Sequence, residues 1–435
     1  MRAYLLVMAV AAIVTFLSTG VVRGLASRWG VVAQVRDRDV HVVPVPRLGG
    51  VAIFLGVAGG LGLAWTIPFL SGVYGRGTTG PLGILLAATV ICVVGVVDDV
   101  WGLDAWTKLA GQALAGVVMA LLGVRLLALP VNGLTLLSGW MLVVLTVVVV
   151  LVTANAVNFV DGLDGLAAGI VAISGTAFFA YSYQISREAS PDDYSSTATL
   201  IAAVTVGAAV GFLPHNLHPA RIFMGDSGAL TLGLLLAAAT ISVTGDTDPR
   251  VLEETGLAPA FVPLLLPAAA LVVPVLDVVM AVVRRTLAGR SPFSPDRKHL
   301  HHRMLALGHS HRWAVALMHA WVALLSFGAA ATAFWPWGTV ARVGGVAAAL
   351  LLLLTVVPRV VEAARPGPGR SGGPGRPSDE ATGAGEADGT GDSGGPARTA
   401  TLPGPAPGAT PTAGPSDTRD PVPAAGGPGR REGTG

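Results

Sequence analysis

The sequence predicts an all-α, polytopic integral membrane protein with about 11 transmembrane helices, followed by a disordered tail. Three observations lead there. Of the 435 residues, 52% are apolar and only 12% charged, against roughly 25% charged in an ordinary soluble domain. The apolar residues gather into runs near the length of about 20 that a bilayer-spanning helix needs. Residues 366–435 instead hold 32 Gly or Pro, no aromatic residue, and only Leu402 and Val422 as large aliphatics. Such a segment cannot bury enough surface to offset its ordering entropy.

In chain order the apolar runs lie near 3–20, 50–70, 82–97, 106–124, 138–153, 165–183, 197–213, 228–244, 259–283, 314–334 and 339–357. The first follows Met1-Arg2, lacks a small-residue cleavage site and continues through Ser18-Thr19-Gly20 into a basic loop. It therefore reads as a retained span rather than a removed signal. Gly and Pro interrupt the region between the fourth and fifth runs. Two domains follow: a membrane domain over 1–365 and a Gly/Pro-rich tail over 366–435. The formal net charge of +2 argues against a basic nucleic-acid binder, so no nucleic-acid partner is expected. Cys92, the single cysteine, excludes an internal disulfide framework and a cysteine zinc cluster.

Basic residues orient the spans. With the N-terminus outside, fourteen of them, from Arg23 to Arg312, fall on one side, against Arg2, Arg76, Arg125, Arg187, Arg250 and Arg342 on the other. The richer side is expected to be cytoplasmic, in a multi-pass plasma-membrane protein whose tail is also cytoplasmic. Five polar clusters, unusual for apolar helices, all fall on that side. They are Val45 to Gly50, Val97 to Lys108, Asn155 to Gly165, His215 to Gly228, and Ser294 to Arg303. Carboxylates at the ends of apolar helices are costly and are usually retained for pairing or function. One cytoplasmic site is more economical than five separate features.

The chemistry of each cluster points to phosphate. Asp98 and Asp99 offer hard oxygen donors suited to Mg²⁺ shared with phosphate oxygens, although solvated carboxylates at a helix end are equally ordinary. Asp161 and Asp164, three residues apart, would share one face if their segment coils, and Gly162 and Gly165 permit close backbone approach. A capped Gly-Asp turn is the plainer alternative. Phe223 offers a stacking face for a base and Asp226 a carboxylate beside it, at the start of a helix; an interfacial Phe with an N-cap would look similar. Arg297, Lys298, Arg303 and the intervening histidines could hold pyrophosphate, or simply face anionic headgroups. Lys108 can pair with Asp104 one helical turn away or neutralise charge beside Asp98 and Asp99. For Pro46 to Gly50, tight helix packing is the favoured reading.

Taken in order, PRLGG at 46–50, DDVWGLDAWTK at 98–108, NAVNFVDGLDG at 155–165, NLHPARIFMGDSG at 216–228 and DRKHLHHR at 296–303 resemble the polyprenyl-phosphate N-acetylhexosamine-1-phosphate transferase family, of the glycosyltransferase family 4 type. The resemblance spans roughly residues 35–310, and the last motif looks more like the N-acetylglucosamine-1-phosphate branch than the phospho-N-acetylmuramoyl-pentapeptide branch. It implies a Mg-dependent enzyme, with Mn²⁺ able to substitute, that moves a sugar 1-phosphate from a UDP-sugar to polyprenyl phosphate. UMP is released, as in the first step of a cell-envelope glycan.

The resemblance also implies roles. Asp226 would ligate Mg²⁺, with Asp99 next and Asn158 or Asn216 in support. Asp98 would deprotonate or orient the lipid phosphate. Gly162, Leu163, Asp164 and Phe223 would form the uridine pocket, with Asn155 also on the substrate side and Asp161 between base and phosphates. Arg297, His299, His301 and His302 would face the diphosphate, with Lys108 nearby. Direct attack by the lipid phosphate and a two-step route through an aspartyl phosphate both fit these residues, and a homodimer is compatible with them. Other UDP-N-acetylhexosamines, or UDP-muramoyl-pentapeptide, are the alternative donors. A multi-span transporter is the alternative from another class. Transporter acids, however, usually sit near the bilayer midplane rather than at helix ends.

Overall fold

The computed structural model describes residues 1–32, 44–75, 79–126, 128–130, 134–136, 138–190, 193, 195–246, 286 and 310–364. These lie in one compact unit, Met1–Pro368. Its helices are α1 (Arg2–Arg28), α2 (Gly49–Thr66), α3 (Pro68–Gly75), α4 (Gly80–Trp101), α5 (Ala105–Leu121), α6 (Gly139–Val160), α7 (Leu166–Ala189), α8 (Thr197–Asn216), α9 (Gly225–Asp246), α10 (His311–Ala331) and α11 (Trp337–Ala364). Among the described residues, nine of these are long and apolar enough to cross a membrane. The fourth expected run forms the shorter α5, of 17 residues. The ninth, near 259–283, and the tail lie outside the described residues.

Between the fourth and fifth runs the described residues form a hairpin. Strands β1 (Ala128–Pro130) and β2 (Leu134–Leu136) pair antiparallel, Leu129 opposite Thr135, and join α5 to α6. The remaining architecture is helical because lipid offers backbone N–H and C=O groups no partner, so each span must satisfy them internally.

Apolar side chains gain little by leaving lipid for one another, so close backbone approach through small residues drives the packing. Helix α1 lies along α2 and α8, and α9 sits centrally against α4, α6 and α8. Gly207 and Gly211, one turn apart on α8, face the backbone of α1 so closely that a Cβ on either would strike the Met8 or Ala12 carbonyl. Gly56 of α2 is pressed against Thr15 and Ala11 in the same way. Exposed aromatics mark both ends of the bundle. Trp29, Trp101, Trp106, Phe159 and Trp313 lie at the end where α1, α4 and α6 finish; Trp65, Trp140, Trp335 and Trp337 lie at the other. Two such belts are what interfacial Trp residues produce at the two surfaces of a bilayer.

Replacing Gly207 by Ala should lower the thermal midpoint of the detergent-solubilised protein, at a cost of about 1–3 kcal/mol for overpacking against backbone that cannot yield. At Gly62 nothing lies within 4 Å of the new Cβ, so Gly62→Ala should leave the midpoint unchanged or slightly higher.

Candidate active site at one end of the bundle

Helix α9 begins inside the protein, and its first amide groups have no partner within the helix. Asp99, near the end of α4, supplies one. Its Oδ1 accepts from the N–H of Asp226 at 2.9 Å, and its Oδ2 from the N–H and hydroxyl of Ser227 at 3.1 and 2.8 Å. A carboxylate at a helix N-terminus is also favoured by the helix dipole. The approach is close: Gly225 has φ +70°, and a Cβ there would press on the Asp99 oxygens. Gly50 and Gly95 flank the same turn, where a Cβ on either would meet the backbone at Ser227.

The segment Pro46 to Gly50 is stitched to the residues before α9. Phe223 N–H donates to Pro46 O at 2.8 Å, while Gly49 and Gly50 N–H donate to Phe223 and Met224 O at 3.1 and 3.0 Å. Leu48 takes the left-handed conformation, φ 79°, to allow this. Tight packing is thus the role of this segment, and what it packs is the wall that carries Phe223 and Asp226.

Above that wall the charges converge. Lys108 Nζ donates to Asp98 Oδ2 at 2.9 Å and also pairs with Asp226 Oδ2. The remaining oxygens are oriented by the protein: Asp98 Oδ1 accepts from Leu103 N–H at 2.6 Å, and Asp226 Oδ1 from Asn158 Nδ2 at 2.9 Å. Asp104 caps α5 through Trp106 and Thr107 N–H, so Lys108 is turned away from it toward the two other carboxylates. This arrangement fits a hard divalent cation, because carboxylate oxygens from two helices, α4 and α9, already converge on one positive charge. One helical turn along, the buried Gln112 exchanges hydrogen bonds with Asn155, whose Nδ2 donates to Gln112 Oε1 at 2.5 Å. Asn155 thereby ties α5 to α6 behind Lys108 and Asn158.

The Asp161–Gly165 segment does not coil. Helix α6 stops at Val160, α7 starts at Leu166, and Gly165 takes φ +75°, so Asp161 and Asp164 share no helical face. The buried Asp164 turns toward the 215–222 segment, where its Oδ2 meets His218 Nδ1 at 2.8 Å and accepts from Ala220 N–H at 3.1 Å. Asn216 clamps the turn from the same side: its Oδ1 accepts from Gly165 N–H and its Nδ2 donates to Ile222 O, both at 3.0 Å. Gly162 is exposed and Leu163 buried. Asp161 keeps part of its surface open, yet burial of its carboxyl, then the charges of Asp99 and Asp164, push it up to about 7 against the pull of Arg47.

The fold therefore gathers Asp98, Asp99, Lys108, Asn158, Asp161 and Asp226 at one end, with Phe223 half-buried beside them and Gly162, Leu163, Asp164 and Asn216 on an adjoining turn. Asn155 is one layer deeper. Arg297, His299, His301 and His302 lie outside the described residues. Gln112 lies outside the five polar clusters, and Arg47 and His218 lie inside two of them with no role that the local sequence assigns. The signal for Gln112 is its place one helical turn after Lys108, and for His218 its place within the polar 215–228 segment.

A family model for glycosyl transferase family 4 matches residues 81–244. The chain is 44% identical over 365 residues to decaprenyl-phosphate N-acetylglucosaminephosphotransferase of Mycolicibacterium smegmatis, covering 82% of this chain and 89% of the relative. It is 45% identical over 341 residues to the protein of the same name in Mycobacterium tuberculosis, covering 77% and 83%. To the probable undecaprenyl-phosphate N-acetylglucosaminyl 1-phosphate transferase of Bacillus subtilis it is 33% identical over 305 residues, covering 69% and 77%.

A carboxyl held near 7 binds its proton more tightly when folded than its unfolded value of about 4 allows. Its contribution to stability is complete below about pH 4 and is lost as pH rises through about 7. Asp161→Asn should therefore match the parent's thermal midpoint near pH 4 and exceed it above pH 7, as read by unfolding in detergent across that range. Equal midpoints at pH 8 would contradict the assignment.

Proposed function

The chain belongs to glycosyl transferase family 4, and from that premise we propose that it transfers N-acetylglucosamine 1-phosphate from the UDP-sugar to a membrane polyprenyl phosphate, releasing UMP. The names of its relatives make decaprenyl phosphate the first acceptor to test. The observation that carries the reading is the convergence of Asp98, Lys108, Asn158 and Asp226 at one end of an apolar bundle. A lipid-borne phosphate and a water-borne nucleotide can meet at such a place. The fourteen basic residues on that side support a cytoplasmic orientation, and a plasma-membrane location follows from the lipid acceptor and the cell-envelope product.

In the reaction an oxygen of the lipid phosphate forms a bond to the β-phosphorus that carries the sugar. The bond from that phosphorus to the bridging oxygen breaks, and UMP leaves with the oxygen. A phosphate monoester has its second pKa near 6, so at neutral pH the acceptor is mostly ionised and no proton need be removed. The demand on the protein is to hold anions together in line, which is a matter of positioning and charge. Lys108 supplies a fixed positive charge, and Asp98 orients it. Asp226, steadied by Asn158, would hold Mg²⁺, with Asp99, whose oxygens also cap α9, as the next ligand. When bound, the ion offsets charge on the diphosphate. Phe223 and the Gly162–Asp164 turn would form the uridine side, and Arg297, His299, His301 and His302 would complete the diphosphate side.

Purified protein supplied with Mg²⁺, UDP-N-acetylglucosamine and decaprenyl phosphate should release UMP and form the diphospho-sugar lipid. UDP-N-acetylgalactosamine and UDP-muramoyl-pentapeptide should serve less well. Asp226→Asn should reduce turnover by about 100-fold or more while leaving the folded yield intact. Turnover close to the parent's would contradict the metal role of Asp226.

A further inference from the structure

Helix α10 reaches the Asp164 side of the site through three side chains in its first half. The His311 ring stacks on His218, with centroids 4.1 Å apart and planes inclined 23°. Arg312 Nη2 donates to the backbone oxygen of the same His218 at 3.3 Å. Two turns on, His319 Nε2 meets the Leu166 carbonyl at 3.2 Å and fills space that a side chain at Gly169 would need. His218 Nδ1 in turn lies 2.8 Å from Asp164 Oδ2, which also accepts from Ala220 N–H.

Ligand atoms of Asp164, His218 and His311 come within 4.8 Å of one another. The rings nevertheless lie face over face, and an imidazole nitrogen binds a metal in the plane of its own ring. Two stacked rings cannot both aim at a common ion, so the trio does not make a metal site. What stacking does provide is a fixed plane for His218, and a fixed His218 Nδ1 fixes one oxygen of Asp164.

We propose that His218 and His311 form a positioning pair that holds the Asp164 carboxylate, so that affinity for the nucleotide end of the donor is set in part from helix α10. The inference rests on the placement of Asp164 in the uridine pocket under the proposed function. Neither histidine touches a reacting atom; the pair acts through Asp164. Misplacing the His218–Asp164 hydrogen bond should weaken donor binding rather than slow the chemical step.

The test measures donor KM, acceptor KM, kcat and the direct binding of UMP by calorimetry for His311→Ala, His311→Phe and His218→Gln. His311→Ala should raise donor KM and weaken UMP binding by about tenfold, with kcat and acceptor KM within about twofold of the parent. His311→Phe keeps a flat stacking partner and should restore donor KM, and His218→Gln, which keeps an N–H donor, should fall between. A merely structural defect would reduce kcat through loss of active protein and leave donor KM in place, which would overturn the inference. So would a His311→Ala enzyme with unchanged donor KM and UMP affinity, or a His311→Phe enzyme no better than Ala. Absence of UMP release by the parent with every UDP-sugar would strike the transfer reading itself and the pair with it, whereas normal turnover with indifferent variants would strike the pair alone.

Discussion

Everything at the polar end of the bundle hangs on the carboxylate of Asp99 at the N-terminus of α9. The amides of Asp226 and Ser227 would otherwise stand unpaired within a mostly apolar protein, at a cost of about 1–3 kcal/mol for each such group. Asp99 accepts from both amides and from the Ser227 hydroxyl, and so joins α4 to α9 across 127 positions of sequence. The same contact sets the direction of Asp226, which leaves the helix start facing Lys108 and Asn158. The two carboxylates look alike in sequence; in the structure Asp99 accepts from the first amides of α9, whereas Asp226 faces Lys108 and Asn158.

The packing beneath that contact works because the surrounding residues are small. Gly225, Gly50 and Gly95 ring the first turn of α9, and any side chain on them would collide with Asp99, Ser227 or Gly228. The strand-like stitching of Pro46 to Gly50 onto Phe223 and Met224 holds that turn from outside. In lipid this is an economical construction. Backbone approach replaces the hydrophobic effect as the source of packing, and the polar groups are confined to one end, where they pair with each other or face water.

Much of this was legible in the sequence, and for a physical reason. Apolar runs fix where helices cross a bilayer, so residues at their ends, such as Asp98, Asn158 and Asp226, can be assigned to one surface by counting spans. Every described span starts within three residues of its expected run, α5 included, while the ends of α1, α6 and α11 extend past theirs; the β1–β2 hairpin has no counterpart in the expected runs. Pairing across the bundle was not legible. Nothing local distinguishes Asp164, whose Oδ2 meets His218 and Ala220, from Asp161, whose carboxyl is pushed up toward 7. Asn216 looks like a ligand-binding amide in its motif and is a clamp on Gly165 and Ile222. Gln112 looks like a stray polar residue and is the partner of Asn155. Apart from Ile222, these partners lie 43 to 56 residues away, and periodicity carries no information about them.

Asp99 builds the site by capping α9. Amide hydrogen exchange on the protein in lipid nanodiscs, comparing the parent with Asp99→Ala, reads that contact at the amides themselves. Faster exchange confined to the first turn of α9 at Asp226 and Ser227, accompanied by weaker Mg²⁺ binding although Asp226 is intact, is the result expected. Unchanged protection of those two amides in the variant would contradict it.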